Sequence, residues 1–101
     1  MDKVGFKNWL DKTLVKKSKK YRSDLTSRAK RVELAFQEID NSFSYDTEYK
    51  KDCGKSFTEK LSHNGEALIG TGIKLPIETN QIRCLKTSVI MYFNYLKDVE
   101  G

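Results

Sequence analysis

Histidine and cysteine are scarce in this chain, which has one of the former and two of the latter among its 101 residues. A structural zinc site needs about four Cys or His ligands, so a site built from these residue types alone is excluded. A serine or cysteine nucleophile needs a neighbouring base, and His63 stands in a turn-like His-Asn-Gly sequence. We therefore expect no catalytic residues, no metal and no cofactor, and a catalytic domain, if there is one, outside this chain.

Long apolar runs are also missing. No segment approaches the twenty or so apolar residues of a membrane span, and the N-terminus shows no secretory signal pattern. We therefore expect a cytoplasmic protein with no membrane contact, in which both cysteines are reduced thiols. Cys84 stands among apolar residues and is predicted to be a core residue. Cys53 lies between charged residues and is predicted to be partly exposed.

Proline and glycine are too few for a linker, and helical periodicity dominates the chain. Apolar residues recur at helical spacing over residues 3–15, where Val4 and Trp9 are predicted core positions, and over residues 21–39, with Ser18 as the N-cap. Residues 40–44 are predicted to interrupt the helical pattern, and the pattern of residues 45–52 is ambiguous between a short helix and irregular structure. A short helix is predicted over residues 56–61 with Ser56 as its cap.

The segment before the last helix is the least regular. The glycine-rich residues 66–75 could form a small hairpin, whereas the last helix is predicted to start at Thr79 or Asn80 and to run to about Val99. We therefore predict an all-α fold: a bundle of four or five helices with a small irregular insertion before the last helix. Residues 1–101 are predicted to form a single domain.

Positive charge is concentrated in the first third of the chain. The net charge is +5, and residues 2–32 alone hold eleven basic and three acidic residues. A cluster of cations around a helix start can contact phosphates, because backbone N–H groups there also favour anions. The alternative is a well-solvated helical surface. The members of the cluster are Lys16, Lys17, Lys19, Lys20, Arg22, Arg28, Lys30 and Arg31.

Three segments resemble a known family. Phe6-Lys7-Asn8-Trp9-Leu10, Lys17-Ser18-Lys19-Lys20-Tyr21 and the residues 25–33 resemble the first two helices of the core-binding, SAM-like domain of phage integrases and tyrosine recombinases. Residues 85–96 resemble that domain's last helix. Similar modules also precede nuclease domains in restriction-type proteins. The resemblance implies a helical module of a DNA recombination or cleavage protein that binds duplex DNA.

The implied contacts come from the starts of two helices. The resemblance and the basic cluster together assign DNA binding to Lys17, Ser18, Lys19, Lys20, Arg22, Ser27, Arg28, Arg31, Asn80, Arg83 and Lys86. Duplex DNA is the expected partner, and a C-terminal catalytic domain or a protein partner is left open. The alternative function is a helical protein–protein interaction module, in which Phe43, Tyr45 and Tyr49 would form an exposed aromatic patch.

Overall fold

The computed structural model describes residues 1–76 and 80–100. Within them the chain forms five α-helices and one 3-10 helix, and no strand. This confirms the predicted all-α bundle with an irregular segment before the last helix. In the same residues, no helix combines the length and the apolar character that a membrane span requires. The elements are α1 (Lys3–Thr13), α2 (Lys19–Ile39), α3 (Tyr45–Asp52), α4 (Lys55–Lys60), a 3-10 helix (His63–Leu68) and α5 (Gln81–Glu100).

Helix α1 buries a narrower stripe than its periodicity suggests. Phe6 and Leu10 are fully buried, but Val4 is 72% exposed, so its predicted core role is wrong. Trp9 lies at the edge of the core, half-buried against Phe6 and Tyr95, and its indole Nε1 donates to Asp98 Oδ2 at 2.8 Å. Trp9 therefore anchors the end of α5 to α1 rather than filling the centre of the bundle.

Helix α2 begins where the sequence predicts. Ser18 is in an extended conformation, and its Oγ accepts from the backbone N–H of Tyr21 at 3.1 Å, which confirms it as the N-cap. The buried face follows the predicted period through Leu25, Ala29 and Val32. Asp40 leaves the helical conformation and ends the helix.

The turn between α3 and α4 corrects the prediction for Ser56. Ser56 lies inside α4, and the N-cap position is Gly54, which has no side chain to accept a hydrogen bond. Asp52 takes over this task, because its Oδ2 accepts from the Ser56 backbone N–H at 3.0 Å and also from the Ser56 hydroxyl. The Ser56 hydroxyl hydrogen bond comes first among the causes that hold the pKa of Asp52 below its ordinary value. The N-terminus of α4 is therefore capped by the carboxylate of Asp52, four residues before Ser56.

The predicted hairpin in residues 66–75 is wrong. The 3-10 helix occupies its first part, and the remainder is turns and extended chain without strand pairing. Gly70 and Gly72 adopt positive φ angles of 83° and 76°, which turn the chain over a short distance. Leu68 and Leu75 are both buried in the hydrophobic core, so their burial does not depend on pairing between strands. Thr79, one of two predicted caps of the last helix, lies outside the described residues.

The core is a single cluster centred on α5. Tyr92 and Val89 are almost completely buried, and α5 packs along the length of α2. Phe43 and Tyr45 are 8% and 1% exposed, so the exposed aromatic patch predicted for them and Tyr49 is wrong. Cys84 is also a wrong prediction, because it lies on the outer side of α5 and is exposed. Cys53 is exposed as well, and both thiols are free.

Four contacts fix the direction of the helices. At one level, the backbone N–H of Asp2 donates to Tyr92 Oη at 2.8 Å, and the α-amino group of Met1 reaches Glu33 at 2.5 Å. At the next level, Trp9 reaches Asp98. The end of α1 lies beside the start of α2, because Asp11 contacts Arg22, so α1 and α2 are antiparallel. Since α1 also runs in the direction from Tyr92 to Asp98, it is parallel to α5, and α2 and α5 are therefore antiparallel. The start of α2 and the start of α5 are therefore at opposite ends of the bundle.

Candidate nucleic-acid interface

The start of α2 carries a group of exposed cations. Lys17, Lys19 and Lys20 surround the Ser18 cap, and all four residues are exposed. Ser18 already accepts the Tyr21 N–H, so the backbone N–H groups of Lys19 and Lys20 are the ones left at this helix end without an intrahelical acceptor. Lys17 Nζ lies 5.6 Å from the centre of the Tyr21 ring, a cation–π contact that leaves its ammonium hydrogens available.

In the described part of the chain, this group has no acidic ion-pair partner. Within the described residues, none of the ion pairs involves Lys17, Lys19 or Lys20, nor does any involve Lys16 or Arg31. An exposed lysine without a fixed partner keeps its full field and can displace counterions from a polyanion. We call Lys16, Lys17, Lys19, Lys20, Ser27 and Arg31 the basic face of α2.

The basic face continues along the outward side of the helix. At 100° per residue, positions 20, 27 and 31 point in nearly the same direction. Ser27 and Arg31 are both exposed and line a shallow groove of about 400 Å³. Its lining also includes Lys30, the acidic Glu38, which pairs with Lys74, and two cations outside the predicted set of contacts, Lys3 from α1 and Lys74 from the segment before α5. No local signal could have found them, because only helix packing brings them to α2.

Arg22 behaves differently from its neighbours. Its side chain turns toward α1, where Nη1 donates to the Leu14 carbonyl oxygen at 3.3 Å and Nε lies 3.2 Å from Asp11 Oδ1. The Nε–H does not point closely enough at the carboxylate to form a hydrogen bond. The side chain is only 16% exposed. Arg22 therefore ties α1 to α2, and little of its guanidinium faces solvent.

Arg28 and Lys30 leave the basic face for other reasons. Arg28 is half-buried on the flank of α2 that lies about 200° around the helix from Lys30. Lys30 Nζ lies 2.7 Å from Glu33 Oε1, and this carboxylate is buried. The sequence presents both as cations of one cluster, but the helix directs them to opposite sides and pairs one of them.

Asn80, Arg83 and Lys86 form a separate group. Glu33 of α2 and Tyr92 of α5 lie at the same level of the bundle, because both contact the first two residues of the chain. The helical rise from Ser18 to Glu33 and then from Tyr92 back to Arg83 adds up to about 35 Å along the bundle. The molecule's longest extent is 39 Å, so the two predicted groups lie near opposite ends. Asn80 and Arg83 are exposed, and Lys86 Nζ donates to Ser62 Oγ at 2.7 Å. The structure thus brings together only the first group of predicted DNA contacts.

Comparison of the chain with protein-family models, with curated proteins and with solved structures finds no match, so the resemblance to the core-binding domain of tyrosine recombinases stays a prediction.

Proposed function

We propose that the chain is a duplex DNA-binding module that contacts mainly phosphates through the basic face of α2. The observation that carries the proposal is the set of exposed cations at the start of α2, which have no acidic partner among the described residues. The resemblance to core-binding domains supports the same partner, and with it a role as the N-terminal part of a DNA recombination or cleavage protein.

The shape of the basic face suits a duplex backbone. From Lys19 to Arg31 the helix rises about 18 Å, which matches about five base-pair steps of a DNA strand. Lysine ammonium groups and the Ser27 hydroxyl can donate to phosphate oxygens, and Arg31 can donate in a bidentate manner. Such contacts fix position and register on the duplex without reading bases, so we expect weak sequence preference.

The alternative proposal, a helical protein–protein interaction module, has less support. Two of the three aromatic residues expected to form its contact patch, Phe43 and Tyr45, are in the core instead, where Tyr45 Oη donates to the Ala29 carbonyl oxygen at 2.6 Å, and Tyr49 is partly buried against that core. If the protein bound no nucleic acid, the protein–protein interaction module would be favoured over DNA binding.

The proposal is tested by fluorescence anisotropy with a labelled duplex of random sequence, at low and at moderate salt. The variant Lys19→Gln/Lys20→Gln removes two charges from the basic face and should weaken binding at low salt by about tenfold or more. The matched control Lys55→Gln/Lys60→Gln removes two exposed lysines from α4 and should bind as the wild type does. Equal losses of affinity in both variants, or affinity that does not change with salt, would contradict the proposal.

A further inference from the structure

A second cationic feature lies at the far end of the bundle. A cleft of about 520 Å³ opens between the start of the 3-10 helix and the first turns of α5. Its lining consists of Leu61, Ser62, His63, Arg83 and Lys86. Arg83 and Lys86 are three residues apart on α5, so both project from the same side of the helix.

The polar lining is arranged to receive negative charge. Among the described residues that line the cleft, none is a carboxylate, whereas two are cations, one is an imidazole and one is a hydroxyl. Lys86 is half-buried, and its hydrogen bond to Ser62 Oγ holds the ammonium in place, while its other two donors have no acceptor within the described part of the chain. Because Ser62 Oγ is the acceptor in that bond, its own proton can be donated into the cleft.

The backbone at His63 directs that side chain as well. His63 has φ 54°, in the left-handed region, which costs free energy for a residue with a side chain. Histidine tolerates this conformation better than most residues, but glycine would adopt it without strain. His63 is exposed and lines the cleft together with the cations of α5.

We propose that this cleft binds a phosphate monoester, with Arg83, Lys86 and the Ser62 hydroxyl as its donors. A dianionic phosphate group matches two adjacent cations and a hydroxyl, and a cleft of this volume accepts a small ligand or the end of a strand but not the width of a duplex. The site is distinct from the basic face of α2, because its lining shares no residue with that face and the cleft lies near the other end of the bundle from the start of α2. The phosphate group could belong to a small molecule or to a 5′-phosphorylated strand.

The test is an NMR titration of the ¹⁵N-labelled protein with inorganic phosphate, with sodium chloride at matched ionic strength as the reference. We expect saturable shifts of the amides of residues 62, 63, 83 and 86, with a Kd on the order of 1 mM from two or three charge-assisted hydrogen bonds. The variant Arg83→Gln/Lys86→Gln should bind phosphate at least about tenfold more weakly. The matched control Lys50→Gln/Lys97→Gln removes two exposed lysines elsewhere and should retain binding.

Two oligonucleotide arms identify the source of the phosphate. A short single strand with a 5′-phosphate should shift the same amides more strongly than inorganic phosphate if the strand end is the ligand, and the same strand with a 5′-hydroxyl should not. If both strands behave alike and only free phosphate shifts these amides, the ligand is a small molecule. Shifts that chloride reproduces, or shifts confined to the start of α2, would overturn the proposal without reference to any variant.

Discussion

Glu33 shows how a residue can belong to a polar pattern in the sequence and to the core in the structure. Glu33 is 1% exposed, and its carboxylate meets Lys30 Nζ at 2.7 Å and the α-amino group of Met1 at 2.5 Å. Burial raises the pKa of Glu33, but the hydrogen bonds from Lys30 and from the α-amino group outweigh it and leave the pKa below its ordinary value of 4.5. The carboxylate therefore stabilises the fold only while it is ionised.

Substitution of Glu33 tests this role. Glu33→Gln should lower the free energy of unfolding at neutral pH by about 3 kcal/mol, because it leaves two cations without their buried partner. Since the pKa is lower in the folded protein, the contribution is complete above pH 4.5 and disappears as the pH falls through the folded-state pKa. Urea unfolding at neutral and acidic pH should show the difference between variant and wild type shrinking in acid.

The control for this prediction is Glu38→Gln, on the same helix. Glu38 pairs with Lys74 at 3.7 Å, but both side chains are more than half exposed. Its substitution should change the unfolding free energy by well under 1 kcal/mol at either pH. If the two variants lose similar stability, or if the Glu33→Gln deficit persists unchanged in acid, the buried ion pair does not act as described.

At the scale of elements, the turn between α3 and α4 sets how closely these helices approach α5. Cys53 and Gly54 both have positive φ, and a Cβ atom built on Gly54 would lie 2.5 Å from the Phe93 ring. The ring also packs against Tyr45 and Phe57, one from each of the two short helices. The absence of a side chain at position 54 is thus what allows Phe93 to seal this side of the core.

Gly54→Ala should therefore be among the more damaging small substitutions. We expect the unfolding free energy to fall by about 2–4 kcal/mol, from left-handed backbone strain together with the overlap on Phe93. Gly70→Ala is the matched control, because Gly70 has φ 83° but no atom within 4 Å of an added Cβ. Gly70→Ala should lower the unfolding free energy only by the cost of the left-handed backbone strain, about 1 kcal/mol. Equal decreases in the unfolding free energy of the two variants, measured by urea unfolding, would mean that the overlap with Phe93 does not destabilise the protein.

At the scale of the whole molecule, the antiparallel packing of α2 and α5 separates two basic groups that were predicted to bind one partner. The starts of these helices lie about 35 Å apart along the bundle. The basic face of α2 offers an open surface, whereas Arg83 and Lys86 line a cleft. The two groups are therefore expected to contribute separately to the binding of anions.

The salt dependence of duplex binding measures this separation. Lys19→Gln/Lys20→Gln should reduce the slope of log K against log salt by about 1.8, or about 0.9 for each phosphate that the variant no longer neutralises. Arg83→Gln/Lys86→Gln removes the same charge but should leave both the slope and the duplex affinity near those of the wild type. A decrease of the slope in the second variant would show that one duplex contacts both ends of the molecule.

Periodicity and capping residues were enough to predict α1, α2 and α5, whereas residues 45–52, which form α3, stayed ambiguous. The Ser18 cap and the apolar period of α2 are local properties of consecutive residues, so the sequence predicts them well. The cap of α4 was missed, because Ser56 fits the usual pattern while Asp52 performs the function from the preceding helix. The hairpin was wrongly predicted, because short apolar runs do not reveal whether their burial requires strand pairing.

The order of the residues along the chain is sufficient to specify a helical bundle whose positive charge is concentrated before and within the first half of α2. Which of these cations can reach a partner depends instead on ion pairs within α2 and between α1 and α2. Arg22 is directed to Asp11 and Lys30 to Glu33, whereas Lys19 and Lys20 have no acidic partner within the described part of the chain. Charge composition is additive along the chain, and the Lys30–Glu33 pair is a local i,i+3 contact, but the Arg22–Asp11 pair forms only because α1 packs against α2, which no local pattern encodes.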